Sequence, residues 1–281
     1  MHELNALLGE RLPAPIKVGL RRLAFVILRI VDAVSPQDDF YPPGWMPLVG
    51  SGDFRAVGEL YFNYFTTLAG LKPTDSVLDV GCGLGRMAIP LTGYLDPAQG
   101  RYVGFDIEPE AIEWCHRHIT HRFPRFEFRH IRAANPNYIP GKPDNPFSHF
   151  PFADATFDFV IVTSVFTHML PAEVSGYLAE ISRVLKPGGR CLMTLFLLNA
   201  ESSGLIAARR SPFQFVHDYQ TYRVINPRLP QAAVAYPEAQ VVAWLAECGL
   251  SLQEPIYYGN WCGRSKYVDG QDIIIVVRQG P

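Results

Sequence analysis

Cysteine is sparse in this chain of 281 residues, and the five present (Cys82, Cys115, Cys191, Cys248 and Cys262) are dispersed, with no Cys-x-x-Cys pair. That pattern argues against a disulfide framework and a zinc site, offers no metal-ligand set, and fits a reducing, cytoplasmic compartment. An excess of charge of one sign is missing too: 25 Lys and Arg against 27 Asp and Glu give a net charge of -2. Without a general basic field no nucleic-acid partner is expected, and small or lipid-like substrates are favoured. No apolar run reaches the roughly 18 uninterrupted residues that a membrane span requires. Internal repeats and low-complexity tracts are absent as well. What remains is an ordinary globular composition, 48% hydrophobic and 19% charged, long enough for one large α/β domain with an appended segment and short for two.

The most informative stretch is Val77-Leu78-Asp79-Val80-Gly81-Cys82-Gly83-Leu84-Gly85-Arg86. It reads as a buried parallel strand that ends in a glycine turn and hands the chain to a helix starting near Arg86. Gly81 and Gly83 lack Cβ atoms, so the backbone can turn tightly and approach a ligand, with the free N–H groups of the helix start facing the same crevice. A dinucleotide site would carry Gly-x-Gly-x-x-Gly, whose last glycine falls where this chain has Arg86. Asp79 instead suits a ligand with a cationic amino-acid end.

This run resembles motif I of the class I S-adenosylmethionine-dependent methyltransferases, in particular bacterial enzymes that act on small molecules or glycans. The resemblance extends through Arg101–Asp106, a strand ending in an acid, Phe157–Thr163 and Leu185–Arg190. It implies an α/β, Rossmann-like, doubly wound sheet of seven mostly parallel strands with an antiparallel C-terminal strand, and S-adenosyl-L-methionine as cofactor. The cofactor-binding set it implies is Asp79, Gly81, Cys82, Gly83, Arg86, Asp106, Ile107, Asn135, Thr163 and Ser164. Asp106 lies at the interval at which a carboxylate can accept ribose hydroxyls, and with Pro109 and Glu110 following it also reads as a helix N-terminal acid. Asn135 stands near where the family commonly supplies an acidic or amide group beside adenine.

The remaining chain divides at about residue 52. Residues 14–34 place Lys17, Arg21, Arg22 and Arg29 on one helical sector and Leu20, Leu23, Ile27 and Ile30 opposite, a basic amphipathic helix. That face fits peripheral contact with the inner membrane surface, packing on the domain, or the interface of a homodimer. A Pro- and Gly-rich connection follows to residue 52, and residues 53–281 are expected to form the methyltransferase domain. Within it, periodicity predicts helices over 53–69, after Asp106 up to Pro124, over 171–185 and over 238–248. Pro187-Gly188-Gly189 is expected to end the third of these before a buried strand from Cys191 to Leu198. Strands are predicted over 126–131, 250–258 and 272–278, with a proline-rich insertion over 137–151 and a substrate lid around 199–237.

Methyl transfer is an in-line displacement, so a base helps where the nucleophile must lose a proton. His168, just past the strand that ends at Thr163, is the candidate base; a structural histidine bridging the helix at Pro171 is the alternative. Substrate contacts are expected from Phe166, from His217 and Tyr219 in the lid, where with Asp218 they form an acid–base cluster or a solvated loop, and from Trp261 and Arg264. Those two can stack on a sugar and bind an anion, or can pack within a hairpin loop. The expected activity is O-methylation of a small molecule, glycan or glycolipid. N- or C-methylation is the enzymatic rival, and a non-catalytic cofactor-binding module the rival of another class.

Overall fold

A computed structural model describes residues 40–42, 46, 52–131 and 149–280. The amphipathic arm at 14–34, Asn135 and the insertion from 137 to 148 lie outside the described residues.

Helix α1 (Phe54–Thr67) begins at Asp53, whose side chain accepts from the Ala56 N–H at 2.7 Å. The cap satisfies one of the donors that a helix start leaves open. Its buried face is Phe54, Gly58, Tyr61, Tyr64 and Phe65, a spacing of one helical stripe. Then come β1 (Ser76–Val80), α2 (Ala88–Leu91), β2 (Arg101–Asp106), α3 (Pro109–Cys115, continued by a π-turn over His116–Thr120) and β3 (Phe126–His130). Strand β4 (Phe157–Val162), a 3₁₀ turn at Phe166–His168, α4 (Pro171–Val184) and β5 (Leu185–Leu195) follow.

The main sheet is completed by two later strands, β10 (Leu250–Tyr257) and β11 (Asp272–Arg278), and its order is β10, β11, β5, β4, β1, β2, β3. All pairs among β3, β2, β1, β4 and β5 are parallel, while β11 runs antiparallel to β5 and β10. Alternation along each strand feeds two cores. Val77, Tyr102, Phe159 and Ile161 pack with Phe65, Ala88 and Ile112 on one face, and Leu78, Val80, Val103, Val160 and Val162 pack with Leu178 and Ile181 on the other. Because β1 leads outward to β2 and β3 on one side and abuts β4 on the other, the order in which the chain adds its parallel strands reverses between β1 and β4. A crevice opens at that point, beyond the carboxyl ends of the strands.

Two boundaries differ from the sequence reading. The chain enters α2 through a turn over Leu84–Met87, so the helix begins at Ala88 rather than Arg86 and has four residues. Helix α4 gives way directly to β5 at Leu185, and Pro187–Gly189 lie inside that strand, where the pairing with β4 shifts register between Phe157 and Phe159. Proline and glycine signal a local break in either setting, which is why the sequence does not separate a turn from a bulged strand start.

Residues 197–237 fold into β6 (Leu197–Leu198), α5 (Ala200–Ala207), a hairpin of β7 (His217–Asp218) and β8 (Arg223–Val224), a 3₁₀ turn at Pro230–Ala232, and β9 (Val234–Pro237). The strands form a second sheet in the order β6, β9, β8, β7. Helix α6 (Glu238–Glu247) then leads into β10. A satellite core of Phe196, Ile206, Phe215, Trp261 and Cys262 lies under this segment.

Candidate active site

Asp79 sits at the heart of the crevice and is fully buried. Its Oδ2 accepts from the Tyr102 hydroxyl at 2.5 Å, while Oδ1 has no hydrogen-bond partner among the described residues. Burial pushes the carboxyl up to about 7, partly offset by the Tyr102 hydroxyl and reinforced by Asp106. A buried carboxylate oxygen without a donor is costly unless a ligand supplies one.

The turn beyond Asp79 is built for close approach. Gly81, at φ 76°, is where any Cβ would come within 2.6 Å of Val165 Cγ2, so the segment after β4 rests on the turn itself. Gly83, at φ 50°, has nothing within 4 Å of where its Cβ would be, an open cradle. The N–H groups of the glycine turn itself are occupied within the fold. Gly81 and Cys82 donate to Phe105 O at 2.9 and 3.0 Å, Gly85 to Cys82 O at 2.9 Å, and Gly83 to Asp106 Oδ2 at 2.8 Å. Backbone and acid are welded into one rim.

Asp106 also takes the Glu108 N–H on Oδ1 at 2.9 Å. Burial raises its carboxyl above the usual range, and those backbone donors pull against that. Each oxygen keeps accepting capacity, since a carboxylate offers about four lone-pair positions. Asp106 thus fixes the turn that leads into α3, while Glu108 holds the N-cap position and Glu110 is the acid of the first helical turn. Ile107 follows it, its carbonyl within 3.2 Å of His130 Nε2. Cys82 turns its side chain into the sheet: a Cβ on Gly104 would stand 2.8 Å from Cys82 Cβ. Burial holds the thiols of Cys82 and Cys115 well above their ordinary values, so neither is a nucleophile at neutral pH. The Arg86 guanidinium lies over the Phe54 ring at 5.2 Å, packing α1 on the turn.

Thr163 and Ser164 complete the rim at the end of β4. Ser164 has φ 57°, a conformation that a non-glycine residue holds only when its surroundings enforce it. Its N–H donates to Thr194 Oγ1 at 2.8 Å, Thr194 Oγ1 donates to Gln271 Oε1 at 2.6 Å, and Gln271 Nε2 donates to Ser164 Oγ at 3.0 Å.

His168 stands farther along, its Nδ1 donating to the Gln231 carbonyl at 3.0 Å. Burial lowers its imidazole below the ordinary value, against the pull of the Gln231 and Ala232 backbone, so the ring is neutral near pH 7. Gln231 is itself anchored by Glu173 of α4 at 3.1 Å. His168 therefore joins the start of α4 to the Pro230–Ala232 turn.

Three expected substrate contacts are overturned by burial. Phe166 is fully enclosed in the main core beside Tyr177, and its carbonyl accepts from Tyr236 at 2.8 Å. Trp261 is buried against Phe196 and Phe215 and donates Nε1–H to Asp272 at 2.6 Å. Arg264 is buried between Asp272 at 3.0 Å and Glu201 at 2.9 Å, with its guanidinium 4.5 Å from the Tyr258 ring centre. No face of these three is left to hold an acceptor. On the edge strand β7, the carboxylate of Asp218 is committed to Arg223 at 2.9 Å, and Tyr219 stacks on Tyr222 at 4.9 Å. The expected acid–base cluster with His217 is therefore an exposed hairpin.

Sequence reasoning missed Tyr102, Thr194, Gln271 and Gln231. A tyrosine within the apolar run of β2 was a signal. Register decides the rest: Tyr102 pairs with Val77, which places its hydroxyl on the sheet face shared by Val77 and Asp79.

The reversal point, the seven-strand order and the antiparallel C-terminal strand are those of the class I methyltransferase fold. Residues 78–193 match the family described as "Methyltransferase domain". The chain is 34% identical over 151 residues to the phthiotriol/phenolphthiotriol dimycocerosates methyltransferase of Mycobacterium leprae, covering 53% of this chain and 47% of that one. It is 32% identical over 158 residues to the sterol 24-C-methyltransferase of Schizosaccharomyces pombe, covering 54% and 37%. The chain thus spans about half or less of the length of these curated relatives. The fold is shared with an S-adenosylmethionine-dependent methyltransferase of Methanosarcina mazei (TM-score 0.52, 22% identity, 78% of this chain and 96% of that one). A protein from Pyrococcus horikoshii shares it as well (TM-score 0.55, 19% identity, 82% and 93%).

Proposed function

We propose that this chain transfers the methyl group of S-adenosylmethionine to an oxygen of an apolar or lipid-like small molecule, glycan or glycolipid. The observation that carries the reading is the partnerless Oδ1 of buried Asp79 beside the open Gly83 cradle. An ammonium group supplies the donor that this oxygen lacks, and a dinucleotide phosphate does not. Asp106 fits ribose hydroxyls, with Ile107, Thr163 and Ser164 completing the wall. The bound cofactor supplies an electrophilic methyl on a sulfonium; the chain holds both partners in line and keeps water out. His168 takes the proton from the attacking hydroxyl, a role that its neutral state near pH 7 permits.

The names of the relatives support the acceptor class: one acts on dimycocerosates and one on a sterol. Exposed Phe213, Val216, Tyr219 and Leu229 share residues 209–229 with exposed Arg209, Arg210 and Arg228, a surface suited to lipid within the candidate lid around 199–237. A second reading, methylation at carbon, is favoured by the sterol relative's name. The test is incubation with methyl-labelled S-adenosylmethionine and fractionated lipid extract, followed by NMR of the product. A methyl ether supports the first reading and a methyl on carbon the second, while an unlabelled extract with folded protein sinks both. His168→Ala is expected to lower turnover by roughly 10² to 10⁴ with S-adenosylhomocysteine affinity unchanged, and to flatten a rise of rate with pH that the lowered imidazole places on the acid side of neutral.

A further inference from the structure

The closed ring of hydrogen bonds at the end of β4 has a direction. Thr194 Oγ1 accepts the Ser164 N–H and spends its own proton on Gln271 Oε1. The Gln271 amide is thereby oriented with Nε2 toward Ser164, whose Oγ accepts. Ser164 then retains its hydroxyl proton, with no acceptor for it among the bonds that hold it. The ring joins three separate strands at their crevice ends: Thr194 is in β5, Gln271 precedes β11, and Ser164 follows β4. It also explains how a serine persists at φ 57°.

The position of that proton points to a ligand. Val165 touches the Gly81 position, so Ser164 flanks the turn that follows Asp79, whose buried Oδ1 has no hydrogen-bond partner among the described residues. An α-amino acid end brings an ammonium and a carboxylate one carbon apart. Asp79 attracts the first and repels the second, so the carboxylate requires a donor from another element. We propose that Ser164 Oγ–H is that donor, and that Thr194 and Gln271 are positioning residues that hold it in place. This rests on the cofactor reading above, because the amino-acid end in question is that of S-adenosylmethionine.

Calorimetric titration with two probes tests it: S-adenosylhomocysteine, and methylthioadenosine, which lacks the amino-acid end. Ser164→Gly tolerates the left-handed backbone and removes the hydroxymethyl group with its donor, so it is expected to lose about tenfold or more in S-adenosylhomocysteine affinity and nothing for methylthioadenosine. Gln271→Leu and the volume-conserving Thr194→Val are expected to lose severalfold for S-adenosylhomocysteine in the natural background and nothing further in the Ser164→Gly background. In the ligand-free protein both are expected to speed hydrogen exchange of the Ser164 amide. The proposal is overturned if Ser164→Gly binds S-adenosylhomocysteine as the natural chain does, if both probes weaken alike, or if the Gln271→Leu loss adds in full to that of Ser164→Gly. A natural chain that binds neither probe overturns the cofactor reading itself, a result distinct from any of these.

Discussion

At the scale of single residues, Asp79 is a buried carboxyl held at the expense of stability. Its carboxyl titrates near 7 because it is buried with one donor, whereas the ordinary value is 3.8. Between those values the folded chain binds a proton that the unfolded chain has lost. Ligand-free stability is therefore expected to fall as pH rises from about 4 to 7, by on the order of 4 kcal/mol, and to level off above. Chemical denaturation across that range checks it, and Asp79→Asn should remove the slope and be the more stable protein at pH 8. Binding runs the other way: S-adenosylhomocysteine affinity should drop as pH falls below about 7, and Asp79→Asn should be weak and pH-independent. A variant that fails to fold would instead make Asp79 a purely structural acid. Asp106→Ala is expected to lose at least tenfold in S-adenosylhomocysteine affinity and also to melt earlier, since Asp106 ties Gly83 and Glu108 together. Asp79, Gly81, Gly83 and Asp106 were legible in the sequence because a local motif prescribes them. Tyr102 and Gln271 were not, because parallel register and a loop closing over more than a hundred residues bring them to the site.

At the scale of elements, the helices and strands of the main sheet were read nearly to the residue where periodicity was long, as in α4 and β11. Residues 197–237 were not, because two-residue strands carry no alternation to read. Trp261 and Arg264 misled for a related reason: an aromatic and an arginine in a loop resemble a binding site until the buried acid that claims both is seen. Asp272 accepts from Leu197 N, Gly259 N, Trp261 Nε1 and Arg264 Nη1, and so pins β6, the 258–271 loop and β11 together. Arg264→Ala leaves that acid buried with its countercharge gone. The expected loss is about 3 to 5 kcal/mol by denaturant titration, with the Michaelis constant for the acceptor unchanged in the fraction that folds. Arg264→Lys should recover little of it, since one ammonium cannot reproduce the forked contacts to Asp272, Glu201 and Asn199.

At the scale of the whole molecule, no helix among the described residues is long and apolar enough to cross a membrane. If residues 14–34 lie on a bilayer surface, the full chain should co-sediment with anionic vesicles at low salt and detach at high salt, and deletion of residues 1–34 should abolish this. Retention in the supernatant, with aggregation of the shortened chain, would assign the arm to the domain or to a second subunit. The strand order carries a consequence of another kind. β11 lies between β5 and β10, yet it follows every other strand along the chain. On the ribosome, the β1–β5 half can close around its own helices while the far border of β5, an apolar strand, waits uncovered until Arg278 has cleared the exit tunnel. During that interval the nascent protein displays an open edge to its neighbours, so a chain released by a stop before Asp272 should aggregate and recruit chaperones, where one released after Arg278 should not.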